Sequence, residues 1–105
     1  MDIQYFIMAC CEMKGYLTYL ILWIIGKKSS NGAEIGRELE KRRGTAPSPG
    51  TIYPALKDLR NKGLIDVDDD KNYSLTAEGK KELSIACKFF CNIFYDVEEM
   101  IKHCK

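Results

Sequence analysis

A mostly α-helical domain with one small β-hairpin is the fold class this sequence predicts, and three observations predict it. Apolar residues recur at helical spacing in five separate stretches. Two short alternating runs, Leu64-Ile65 with Val67 and then Tyr73 with Leu75, flank the turn Asp68-Asp69-Asp70-Lys71-Asn72, the mark of a hairpin. The 105 residues, 46% hydrophobic and 30% charged, are enough for one globular domain with a single core.

The elements follow in order. Ile3, Phe6, Ile7, Cys10 and Met13 predict a short helix over 2–13, which Gly15 is expected to break. Over 16–27, Leu17, Leu20, Ile21, Ile24 and Ile25 form one face, and Leu22 and Trp23 add to another. A helix apolar nearly all round belongs at the centre of the fold. After the loop Ser29-Ser30, Asn31 and Glu34 have the spacing of a capping box, with Asn in place of Ser or Thr. The helix they start turns Ile35 and Leu39 inward and ends in Lys41-Arg42-Arg43 before Gly44. Those cations also suit the dipole of a last turn, so the cluster has a purely local use as well.

Thr45-Ala46-Pro47 is a loop leading into "SPGTIYPALKDLRNKGLI", residues 48–65. Here Ser48 can cap, Pro49 suits a first helical position, and Gly63 stops the helix. Ile52, Leu56 and Leu59, with Ala55 beside them, bury one face. Beyond the hairpin, Thr76 caps a last, long helix over 77–103.

A helix over 48–62 followed at once by a hairpin is the layout of a winged helix-turn-helix. Residues 1–75 then form the N-terminal helix and the DNA-binding region. Residues 76–105 form a long C-terminal dimerisation helix, and the whole is one compact domain. In this layout the second helix of the pair offers its N-terminal side chains to base edges in the major groove. Ser48, Thr51, Tyr53 and Lys57 point away from the Ile52/Leu56/Leu59 stripe and make the face left for double-stranded DNA. Gly50, Pro54 and Arg60 from the same helix, Asn31 and Arg37 from the helix before it, and Lys71 from the wing complete the candidate set. The formal net charge is only +1, but residues 27–62 hold nine Lys/Arg against four acids, a local +5 that leaves −4 elsewhere. A localised anionic partner follows.

The stretch 48–65, the "YSLTAEGKKEL" that follows the turn, and "LTYLILWIIGKKSSNGAEIGRELEKR" upstream resemble the PadR family of winged-helix transcriptional regulators, over roughly residues 17–83. The resemblance implies a homodimer that represses transcription, often released by a small ligand at the dimer interface; a two-fold dimer in turn predicts a palindromic operator. Two positions depart from the family pattern. Ala33 stands where a tyrosine near the DNA backbone is usual. The wing, usually longer and basic, is short and carries Asp66, Asp68, Asp69 and Asp70, which phosphates would repel.

The last helix predicts the dimer independently. Leu83, Ala86, Phe90, Ile93, Val97, Met100 and Cys104 follow a 3-4 alternation three heptads long, widened by Cys87, Phe94 and Ile101. One alternative is that this stripe packs on the N-terminal helix of its own chain. The other, preferred here, uses both, with the N-terminal helix and the last helix exchanged or packed across a two-fold axis. Phe89, Phe90, Phe94, Tyr95, Trp23, Tyr16 and Tyr19 could line a pocket there for a hydrophobic small-molecule effector, or could simply be core.

The five cysteines, Cys10, Cys11, Cys87, Cys91 and Cys104, form no C-x-x-C pair. They are expected as reduced thiols. They are also the candidates for a disulfide, between elements or between subunits, and Cys87, Cys91 and Cys104 for a metal or redox sensor. The one histidine, His103, stands in no Ser/His/Asp or Cys/His grouping, so neither an enzyme nor a cofactor is expected. The longest apolar run is about ten residues, short of the roughly 20 needed to span a bilayer, and the start lacks a signal peptide's cations. A cytoplasmic protein without a membrane partner is the expectation. The competing functional class is a dimeric winged-helix module that binds a protein and has weakened DNA binding.

Overall fold

An apolar helix sits at the centre, and every other large element packs on it or on its immediate neighbours. The computed structural model describes residues 13–104, with side chains from Leu17 onward. The expected helix over 2–13 therefore lies, but for Met13, outside the described residues.

Helix α1, Met13–Lys27, runs through Gly15 rather than starting after it. One glycine costs a helix about 1 kcal/mol relative to alanine. Burial of Ile21, Leu22, Ile24 and Ile25 outweighs that, since each such side chain contributes roughly 1.5–3 kcal/mol. Helix α2, Gly32–Arg43, starts with the expected capping box: the Glu34 N–H donates to Asn31 Oδ1 (2.8 Å) and the Asn31 N–H to Glu34 Oε1 (3.1 Å). It stops at Gly44, whose φ of 83° lets its N–H reach the Glu40 carbonyl.

Helix α3, Pro49–Asn61, buries Ile52, Leu56 and Leu59. It ends in a Schellman turn through Gly63 (φ 75°): the Gly63 N–H donates to the Arg60 carbonyl and the Leu64 N–H to the Leu59 carbonyl. Strands β1, Ile65–Val67, and β2, Tyr73–Leu75, pair antiparallel with Ile65 opposite Leu75 and Val67 opposite Tyr73. The sheet also takes in Ser30, which exchanges both backbone hydrogen bonds with Tyr73 (2.8 and 3.2 Å) and so ties the loop before α2 to the wing.

Helix α4, Ala77–Ile93, is capped by Thr76, whose Oγ1 accepts from the Gly79 N–H and donates to the Gly63 carbonyl. A Cβ at residue 79 would overlap the Leu64 carbonyl oxygen, so glycine is what lets α4 begin directly against the hairpin. A single cluster from Ile21 to Ile65 forms the core, with Leu17, Leu20, Ala55, Tyr73, Leu75 and Leu83 packed against it.

The C-terminal expectation needs correcting. Residues 77–103 are not one helix: α4 ends at Ile93 and a separate helix α5 covers Val97–His103. Phe94 (φ −108°, ψ 35°) and Asp96 (φ −104°, ψ 28°) have both left the helical region, and the Val97 N–H closes a turn onto the Phe94 carbonyl. The three-heptad seam is thus two segments, because a coiled-coil register needs an unbroken helix. Leu83, Ala86 and Phe90 lie on the first; Val97, Met100, Ile101 and Cys104 lie on or at the end of the second.

Candidate nucleic-acid interface

The outer face of α3 holds what the sequence places there. Ser48, Gly50, Thr51, Tyr53, Pro54, Lys57 and Arg60 are all exposed, while Ile52, Leu56 and Leu59 on the opposite face are buried. Ser48 occupies the cap position but does not cap. Its Oγ lies 3.2 Å from Thr51 Oγ1 instead, so two hydroxyls pair at the solvent-facing tip of the helix. Pro54 has no N–H to offer the carbonyl one turn back, that of Gly50, so an acceptor is left without its usual helical donor near the same tip. Hydroxyls and open acceptors are groups that read base edges at close range.

Lys57 and Arg60 continue this face. With Tyr53, Asn61, Ile65, Asp66 and Tyr73 they line an open groove of about 410 Å³ between α3 and the hairpin. Among the described residues Lys57, Arg60, Arg37 and Arg43 make no ion pair. Lys41 and Arg42, by contrast, both lie against Glu38 (3.2 and 3.8 Å), and the Lys41 hydrogen bond and charge hold that carboxyl below its ordinary pKa. Lys62 pairs with Asp58 at 2.9 Å. The basic stretch therefore divides into cations engaged locally and cations open to an anion.

Three candidates stand apart from this face. The Asn31 side chain is engaged in the α2 cap, which gives it a structural role. Arg37 is exposed on α2. Lys71 is exposed in the hairpin loop with a positive φ of 64°. In that loop Asp68 does more than carry charge: its Oδ1 accepts from the N–H groups of Asp70 and Asn72, both at 2.9 Å, and shapes the turn. The part of the groove made by Asn61, Ile65 and Tyr73 had no signal in the sequence, since it arises where α3 and the sheet meet.

The C-terminal helices present the opposite chemistry. Leu83 packs on the core, Ala86 is buried, and Phe90 lies between Tyr19, tilted at 4.5 Å, and Phe94, stacked at 5.7 Å. Burial, then the Cys87 thiol 3.3 Å from its hydroxyl, push the Tyr19 phenol well above its ordinary pKa. Ile93, Val97, Met100 and Ile101 are 40–50% exposed, and Cys104 beyond them is also exposed. Cys87, Cys91 and Cys104 are free thiols; Cys10 and Cys11 lie outside the described residues. Among the described residues no His/Cys/Asp/Glu group could hold a metal ion, and no helix is long and apolar enough to cross a membrane.

Comparison with known proteins agrees with this geometry. Residues 21–85 match the transcriptional regulator PadR-like family. RosR of H. salinarum is 32% identical and superposes with a TM-score of 0.67, over 84% of this chain and 86% of that one. A PadR family transcription regulator from Clostridium difficile is 29% identical, with a TM-score of 0.65 over 82% of this chain and 98% of its own. The transcriptional activator GvpE of Haloferax mediterranei is 36% identical over 50 residues, 48% of this chain; the match spans only 26% of that relative. The chain belongs to the PadR-like family of transcriptional regulators and has a winged-helix fold.

Proposed function

We propose that the protein is a homodimeric, sequence-specific repressor that sets α3 into the major groove of a palindromic operator. The observation that carries this reading is the two-faced character of α3, with a buried apolar stripe behind Ser48, Thr51, Tyr53 and Lys57. In this reading Thr51 and the groups at the helix tip read base edges, while Lys57 and Arg60 hold phosphates. The partly exposed Ile93, Val97, Met100 and Ile101 support the dimer, because a small domain gains by covering that much apolar surface. Two copies on a two-fold axis would place their recognition helices about one DNA turn apart, roughly 34–36 Å. Bound there, the dimer would block polymerase. A hydrophobic effector would sit beside Tyr19, Trp23 and Phe94, where α1 and α4 meet the proposed partner. The exposed acids of the hairpin loop keep the wing off the phosphates.

The test is mutational. Thr51→Ala, Tyr53→Ala and Lys57→Ala are each expected to weaken binding to a duplex taken from upstream of the protein's own gene. Each loss should be about 1–3 kcal/mol, with the oligomeric state unchanged by sedimentation. Unchanged affinity in all three would remove α3 from the interface and favour a module that binds a protein instead.

A further inference from the structure

The exposed Tyr53 ring does not stand freely on α3. It lies over the first residue of α2: a Cβ built at Gly32 would come 2.7 Å from Tyr53 Oη and 3.1 Å from Cε1 and Cζ. One turn further along α2, a Cβ at Gly36 would meet Ile52 Cδ1 at an ordinary 3.5 Å. Two successive residues of α3 thus pack along one edge of α2, Ile52 into the core and Tyr53 across the helix start. Tyr53 keeps 54% exposure, so one side of its ring is seated and the remainder faces solvent.

The backbone gives no reason for glycine at this place. Gly44 and Gly63 have the positive φ that favours it, and Gly32 does not. The Asn31 cap needs nothing of its neighbour's side chain beyond a helical backbone, and glycine is among the poorest helix formers. What glycine supplies is room for the Tyr53 ring.

We propose that Gly32 is a positioning residue for DNA recognition. By lacking a side chain it seats Tyr53 against the start of α2 and fixes where the Tyr53 hydroxyl meets DNA. This rests on the reading of α3 as the recognition helix. Because the displaced atoms are the far end of a side chain in solvent, a methyl group at residue 32 swings the tyrosine aside without disturbing the core. It acts on binding and spares the fold.

The experiment is a double-mutant cycle of Gly32→Ala and Tyr53→Ala. It reads affinity for the upstream duplex and for a panel of single base-pair changes in it, together with melting temperature. Gly32→Ala is expected to lose about three- to tenfold in affinity, the worth of one hydrogen bond, with no loss of melting temperature. It should shift the ranking of the panel as Tyr53→Ala does. In the Tyr53→Ala background it should change affinity less than about twofold, since the residue it acts through is gone. If Gly32→Ala melts early, removing the ring in the double variant should restore the melting temperature; failure to restore it would place the defect in α2 and overturn the proposal. Full affinity in Gly32→Ala, or an equal loss with and without Tyr53, would also overturn it while Thr51→Ala and Lys57→Ala still weaken binding. If those two have no effect either, it is the assignment of α3 that fails.

Discussion

The outer face of α3 and the outer face of α4–α5 are both exposed, yet they are unfinished in opposite ways. The first offers hydroxyls and the unpaired cations Lys57 and Arg60 on a helix held rigidly from behind by Ile52, Leu56 and Leu59. Such groups are at ease in water, so a partner can come and go. The second leaves Ile93, Val97, Met100 and Ile101 in solvent, where each apolar surface costs free energy until it is covered. The difference teaches that the two faces ask for different partners: the cationic one suits an anion that comes and goes, the apolar one suits lasting cover, and a complete core lies between them.

That comparison can be broken first at the core. Leu56→Ala, at 1% exposure directly behind the outer face of α3, is expected to cost about 2–5 kcal/mol of stability in denaturant unfolding. Both faces should be lost together. A smaller loss would mean that α3 is held by something other than this stripe. Next in size is Ile101→Asp, which buries a charge if the apolar face is an interface. Sedimentation should then show one copy in place of two. DNA affinity should fall by about a hundredfold or more, as two linked half-sites become one, while the melting curve stays cooperative. A dimer that survives this change would assign the interface elsewhere.

The smallest effect lies between the two faces, at Tyr19. Its folded pKa is raised, and the unfolded phenol titrates near 10.0. The folded state therefore keeps a proton that the unfolded state gives up. Stability from this group is fully present below about pH 10 and declines as pH rises beyond it. Phenolate absorbance from Tyr19 should appear only well above the ordinary tyrosine range, and Tyr19→Phe should remove that late phase.

Much of the fold was legible because its rules are local. The Asn31–Glu34 capping box, Gly44, the Pro49 start, Gly63, the Thr76 cap and the five-residue turn between β1 and β2 are each decided within a few residues, and each stands as the spacing implied. What was not legible depends on distant partners or on the absence of a strong signal. Nothing between Asn92 and Asp96 is glycine or proline, so the break between α4 and α5 leaves no mark in the sequence. Gly15 carries such a mark, yet burial elsewhere in α1 overrides it. Ser30 pairing with Tyr73 and Tyr53 lying over Gly32 join segments far apart in the chain, and no periodicity encodes them. At the candidate site the exposed face of α3 and the capping use of Asn31 were foreseen; the division of the cations and the turn-shaping use of Asp68 were not.

The most direct measurement is selection of bound sequences from a pool of randomised duplexes by the purified protein at physiological salt. The account predicts an enriched palindrome whose half-sites lie about one turn, 10–10.5 base pairs, apart centre to centre. A pool that stays random, or that yields a single unrepeated half-site, would contradict the claim that two copies of α3 read DNA together.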